Sequence, residues 1–166
     1  CHWGANICRA GWLAEGANDL PHAAQDYLEV FAGPYLRAMS VWTDLMQPGV
    51  TGGQVWAAMQ TALPADPFNV TLNPGHLIGA DEWLSSPIFR GSDLALRSGM
   101  AMQMDVIPAH PVYGSTRMED GYVIADAALR AEIAARFPAM AVRIAARQDV
   151  MRRLIGMTVP DTLLPL

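Results

Sequence analysis

Three polar side chains sit in apolar surroundings along this sequence. His76 lies in Asn73-Pro74-Gly75-His76-Leu77-Ile78-Gly79, Asp105 in Met102-Gln103-Met104-Asp105-Val106-Ile107-Pro108, and Glu119 in Arg117-Met118-Glu119-Asp120-Gly121. A carboxylate placed among Met, Val and Ile is costly to bury unless something compensates it. A divalent metal is one compensator, and imidazole with two carboxylates is a common set of ligands for it. An ion pair is the other, with Arg117 or Arg9 as the cation. Taken singly, each residue is more often structural than functional. Cys1, His2 and Cys8 also bear ligand atoms, but their spacing fits no common zinc pattern.

Composition narrows the classes of chemistry. The chain has 166 residues, 52% of them apolar and 16% charged, enough for one domain with a sizeable core (1–166) and too apolar for a disordered segment. No apolar run approaches the roughly 20 residues of a membrane span, so no membrane contact is expected. Net charge is -5, and no window is densely basic. A nucleic-acid groove neutralises phosphates with clustered cations, so no nucleic-acid partner is expected. All eleven cations are Arg. Schiff-base and phosphate-loop lysines are therefore excluded within this chain. Two cysteines make no disulfide framework and suit a reducing, cytoplasmic setting.

The elements that must position these side chains can be read from spacing. Residues 2–14 lean towards strand. Asn18-Asp19 before Leu20-Pro21 opens a helix to about Met46, with a kink expected at Gly33-Pro34. Thr51 starts a second helix, ending before Pro64. Residues 69–78 read as strand and turn, 81–98 as loop, 100–107 as strand ended by Pro108, and 116–124 as strand. Asp126 caps a long helical region, broken at Pro138 and closed by Gly156. Its inner face is expected to run through Met140, Ile144, Met151 and Leu154. Helices around a few strands, without βαβ alternation, point to an α+β fold.

Five segments together resemble the creatinase, methionine aminopeptidase and Xaa-Pro peptidase family, the pita-bread metallopeptidases. Gly4-Ala5-Asn6-Ile7-Cys8-Arg9-Ala10-Gly11 is similar to the family's Gly-x-x-Asp-Ile-x-Arg-Thr strand. Gln47-Pro48-Gly49-Val50-Thr51 is similar to its Lys-Pro-Gly-x-Thr turn. Asn73 to Gly79 resembles its Gly-His-Gly-Ile-Gly segment, Gly99-Met100 to Pro108 its Gly-Met-x-Phe-x-x-Glu-Pro strand, and Arg117 to Asp120 its Arg-x-Glu-Asp strand. The five occur in the family's order, from about Gly4 to Arg130.

The resemblance implies a pita-bread fold, incomplete at its N-terminus, and a hydrolase acting on a peptide-like small substrate. Such enzymes use divalent ions (Mn, Zn or Co) to activate a water. It implies His76, Asp105 and Glu119 as metal ligands, with Asn6 at the position of a ligand aspartate. The match is degenerate. Asn6 is neutral, the other ligand aspartate would precede Cys1, and Leu84 falls where the family has a proton-handling histidine. Asp81, Glu82 or His110 are substitutes for that role, so His76, Glu119 and His110 are the catalytic candidates. Two carboxylates and one imidazole balance one dication, so a mononuclear or metal-free site is expected. The alternative is a non-catalytic pita-bread domain that binds a peptide or protein partner. The natural protein is expected to extend upstream of Cys1, and a sheet edge left open at residues 2–14 makes a homo-oligomer the expected state.

Overall fold

The computed structural model describes residues 8–9, 15, 19–81 and 84–166. The elements run β1 (Cys8–Arg9), α1 (Gly33–Leu45), α2 (Gly52–Ala62), α3 (Ala65–Phe68), β2 (His76–Leu77), β3 (Ala101–Met104), β4 (Met118–Ile124), α4 (Ala127–Arg136), α5 (Pro138–Val150) and β5 (Leu163–Pro165). The α+β reading holds over these residues.

Two helix starts follow their sequence signals, whereas the start expected at Leu20-Pro21 gives only a short 3-10 turn, His22–Ala24, and the continuous helical winding begins near Leu28. Thr51 and Gln54 cap α2 reciprocally: the Gln54 N–H donates to Thr51 Oγ1 at 3.3 Å, and the Thr51 N–H donates to Gln54 Oε1 at 2.8 Å. Asp126 caps α4 by accepting from the Leu129 N–H at 2.8 Å. The change of winding expected at Gly33-Pro34 takes the form of a wider turn. Residues Leu28–Ala32 are wound as a π-turn, with the Gly33 N–H bonded to the Leu28 carbonyl. Pro34 has no N–H to continue a regular ladder, and a wider turn absorbs that loss.

All strand pairings are antiparallel, and β4 is central. It pairs with β3 on one edge, and with β1 and β5 on the other. β2 lies outside β3, with His76 opposite Gln103. The register pairs Met102 with Tyr122 and Gln103 with Gly121, which separates the sheet into two faces by alternation. Met102, Met104, Tyr122 and Ile124 form the core face, all fully buried. α1 covers it: the Trp42 ring lies 5.8 Å from that of Tyr122, and Phe31, Met39 and Met46 are fully buried. Each such side chain contributes roughly 1.5–3 kcal/mol by leaving water.

The C-terminal segment is pinned at several points. Thr43 Oγ1 donates to the Thr158 carbonyl at 2.6 Å, and Thr158 N–H donates to Ser40 Oγ at 2.8 Å. Gln148 Nε2 donates to the Leu163 carbonyl at 2.7 Å. β5 was not expected from the sequence, because Leu163-Leu164-Pro165 is too short to show alternation. Leu154 also departs from expectation. It is 81% exposed, whereas Met151 is buried. A second π-turn, Met151–Ile155, carries one residue more per turn and rotates Leu154 off the inner face. The strands read at 69–78 and 100–107 are shorter than expected, narrowing to His76–Leu77 and Ala101–Met104.

One junction ties α1 to β2. The Trp42 indole N–H donates to the buried Pro74 carbonyl at 2.7 Å. Gly75 follows at φ +105°, and a Cβ there would lie 2.8 Å from the Gln103 carbonyl oxygen and 3.0 Å from Trp42 Nε1. Trp42→Phe leaves the Pro74 carbonyl without its donor and is expected to lower unfolding free energy by about 1–3 kcal/mol in urea titrations. An unchanged midpoint would show that this hydrogen bond contributes nothing net.

Candidate functional site

The face of the sheet opposite the core is built from the other set of alternating residues. His76 and Gln103 are paired across β2 and β3, and Gln103 is paired with Gly121 across β3 and β4. Glu119, two residues before Gly121, falls on the same face. Asp105 continues the parity of Gln103 one residue past β3. The structure thus brings His76, Gln103, Asp105 and Glu119 to one side of one small sheet.

Within this set His76 and Asp105 are in contact. The His76 ring is 2.9 Å from the Leu77 carbonyl through Nδ1, an arrangement that puts a proton on Nδ1. That leaves Nε2 turned towards Asp105, 3.8 Å from Oδ2, with side chains only 9% and 15% exposed. The Asp105 carboxylate raises the imidazole pKa above its ordinary value of 6.5; burial opposes the rise, and the Leu77 carbonyl and the Glu119 charge add to it. Among the described residues, the buried Asp105 Oδ1 has no hydrogen-bond partner.

Glu119 is held differently. Its Oε1 accepts from Gln103 Nε2 at 3.3 Å, and Gln103 is 3% exposed. Sequence reading passed over Gln103, although its parity with Asp105 between Met102 and Met104 was visible. The carboxylate of β4 that holds an arginine is Asp120, on the core side. Arg147 donates to it at 3.1 Å, and Asp120 is 3% exposed. The Arg147 guanidinium also donates to the carbonyl of Leu166, so this ion pair joins α5, β4 and the chain end.

The remaining candidates are placed elsewhere or not described. His110 packs among Phe31, Phe68 and Tyr113, 4.9 Å from Phe31 between ring centres. Its Nδ1 accepts the backbone N–H groups of Val112 and Tyr113, each at 3.2 Å, which shapes the 110–114 turn. Leu84 is 72% exposed, and Asp81 is exposed. Asn6 and Glu82 lie outside the described residues. Among the described residues, no three His, Cys, Asp or Glu side chains gather closely enough to hold a metal ion. None of the described helices is long and apolar enough to cross a membrane.

No protein-family model matches the chain, and no curated protein matches it. Solved structures do. An Xaa-Pro dipeptidase from Bacillus anthracis is 25% identical over 59% of this chain and 28% of its own, with a TM-score of 0.50. A prolidase from Pyrococcus furiosus is 18% identical over 75% of this chain and 35% of its own, with a TM-score of 0.55. A dipeptidase from Mycobacterium ulcerans is 28% identical over 65% of this chain and 28% of its own, with a TM-score of 0.48. The matches thus span about a third of the length of these proteins. Over the matched part, the chain has the mixed helix-and-strand fold of pita-bread prolidases.

The pairing of His76 with Asp105 has a pH signature. His76 has a folded-state pKa above its unfolded value. Its contribution to stability is therefore full below about 6.5 and lost as pH rises through the folded value. Asp105→Asn removes the largest cause of the rise. The His76 pKa followed by NMR is expected to fall in that variant, and stability between pH 6 and 8 to become flatter, with these pH limits bracketing roughly the imidazole range. An unmoved His76 titration would contradict the pairing.

Proposed function

We propose that this chain forms one side of the cleft of a hydrolase acting on peptide-like substrates, of the Xaa-Pro dipeptidase kind, with a drifted metal site. One observation carries the proposal. The imidazole of His76 and the carboxylates of Asp105 and Glu119 share a single sheet face, within a fold similar to that of an Xaa-Pro dipeptidase. The Nδ1–H bond to the Leu77 carbonyl is the kind of outer contact that fixes a histidine tautomer and directs Nε2 into a site.

The donor set does not by itself fit a metal ion. His76 Nε2 and Asp105 Oδ2 face one another, but the Glu119 carboxylate is engaged by Gln103, and no third donor joins the pair among the described residues. No catalytic step is therefore routed through a metal. What these residues do is set the His76 Nε2 near the Asp105 carboxylate, which favours a charged imidazole, and keep the Glu119 carboxylate tethered by Gln103 on the same sheet face. A second reading is favoured by the same engagement of Glu119: a non-catalytic domain that uses this face to bind a peptide or protein. Asn6 and Leu84, at positions where the resemblance calls for a carboxylate and an imidazole, support that reading.

Calorimetric titration with Mn²⁺ or Zn²⁺, together with an Xaa-Pro dipeptide hydrolysis assay, separates the two. For the hydrolase reading, at most one ion is expected to bind the parent, weakly. Asn6→Asp is expected to raise that affinity about 10–100-fold, and His76→Ala to remove it. Equal binding by His76→Ala would sink the site assignment. A parent that binds metal yet cleaves no Xaa-Pro dipeptide would leave the second reading standing. Self-association is part of the same proposal, and sedimentation at increasing concentration tests it.

A further inference from the structure

An open cleft lies on the other side of β2 from His76. Its volume is about 710 Å³, within the range of roughly 300–1,000 Å³ typical of small-molecule sites. Leu77 and Met100 contribute to its wall. By strand alternation they have the opposite parity from His76 and Gln103, so this cleft is separate from the His76 face. The segment after Leu84 forms another wall. The Leu77 N–H donates to the Ser85 carbonyl at 2.8 Å, and Ser86 Oγ donates to the Gly75 carbonyl at 2.7 Å, which fix that wall to β2.

The lining has a specific chemistry. Leu77, Leu84, Leu94 and Met100 supply apolar surface, and Leu84 and Leu94 are 72% and 53% exposed. Asp93 and Arg97 line the same cleft with opposite charges. They do not pair with each other: Asp93 and Arg97 take part in none of the ion pairs among the described residues, all of which involve other side chains. Two opposite charges with no ion-pair partner among the described residues, lining a cleft together with apolar side chains, match a ligand that carries both charges and an apolar side chain. A carboxylate meets the guanidinium, where a two-pronged contact is favoured. An ammonium meets the Asp93 carboxylate.

We propose that this cleft binds a zwitterionic α-amino acid with an apolar side chain. The carboxylate is held by Arg97, the ammonium by Asp93, and the side chain packs against Leu77, Leu94 and Met100. The inference does not depend on the hydrolase reading, because it uses none of the residues of the His76 face.

The test is NMR titration of the whole chain with L-leucine, N-acetyl-leucine and leucinamide. L-leucine is expected to shift the resonances of Leu77, Ser85, Ala95 and Met100 in a saturable manner. Blocking either charged group should weaken binding about 2–5-fold, the range expected for an exposed charge contact. Arg97→Gln should abolish the advantage of L-leucine over leucinamide, and Asp93→Asn its advantage over N-acetyl-leucine. Both side chains are exposed, so the variants are expected to fold, and their amide spectra check this. His76→Ala should bind L-leucine like the parent, which separates failure here from failure of the hydrolase reading. Equal binding of all three probes, or no saturable shift with L-leucine at millimolar concentration, would overturn the proposal.

Discussion

The contact between the Trp42 indole and the Pro74 carbonyl governs where His76 can be. Trp42 is fully buried with its ring 5.8 Å from that of Tyr122, while Pro74 sits two residues before the histidine. Gly75 is squeezed between the indole and the Gln103 carbonyl at a backbone angle that side chains rarely adopt. Helix α1, the turn and strands β2 and β3 therefore meet within a few ångströms. From that point the register of β2 against β3 follows, and with it the side of the sheet on which the imidazole emerges.

The sheet is chemically two-faced. On the α1 side it carries Met102, Met104, Tyr122 and Ile124, and its one carboxylate, Asp120, is met by Arg147. On the opposite side it carries an imidazole, an amide and two carboxylates, with Asp105 facing His76 and Glu119 held by Gln103. Buried carboxylates need a donor or a cation. The core side satisfies that need within the chain. The other side meets it differently, through His76 for Asp105 and Gln103 for Glu119, and among the described residues Asp105 Oδ1 has no hydrogen-bond donor.

Much of this arrangement was legible from the residue order. Thr51 and Asp126 marked helix starts, and the alternation through Met102, Gln103 and Met104 marked a strand, because caps and parity are local signals. The common face of His76, Asp105 and Glu119 was inferred from a resemblance rather than from periodicity, since β2 has only two residues. The tethering of Glu119 by Gln103 was not legible. It depends on cross-strand register, which no single segment encodes. His110 looked like a chemical residue in sequence, yet its Nδ1 is taken by two backbone N–H groups of its own turn, a contact that only the loop's path creates. Leu154 was misplaced because a helical period of 3.6 fails across a π-turn.

The late position of β5 bears on how the molecule is made. Half of one edge of β4 is completed by Leu163–Pro165, and the first long helix is fastened to Thr158 through Ser40 and Thr43. During synthesis these pieces emerge after the helices and the other described strands. Until then the central strand has an open edge, the kind of surface that recruits strands from other chains. Contacts of such long sequence separation also form slowly. A nascent chain of this design spends its vulnerable interval with its sheet nearly built and its clasp still on the ribosome.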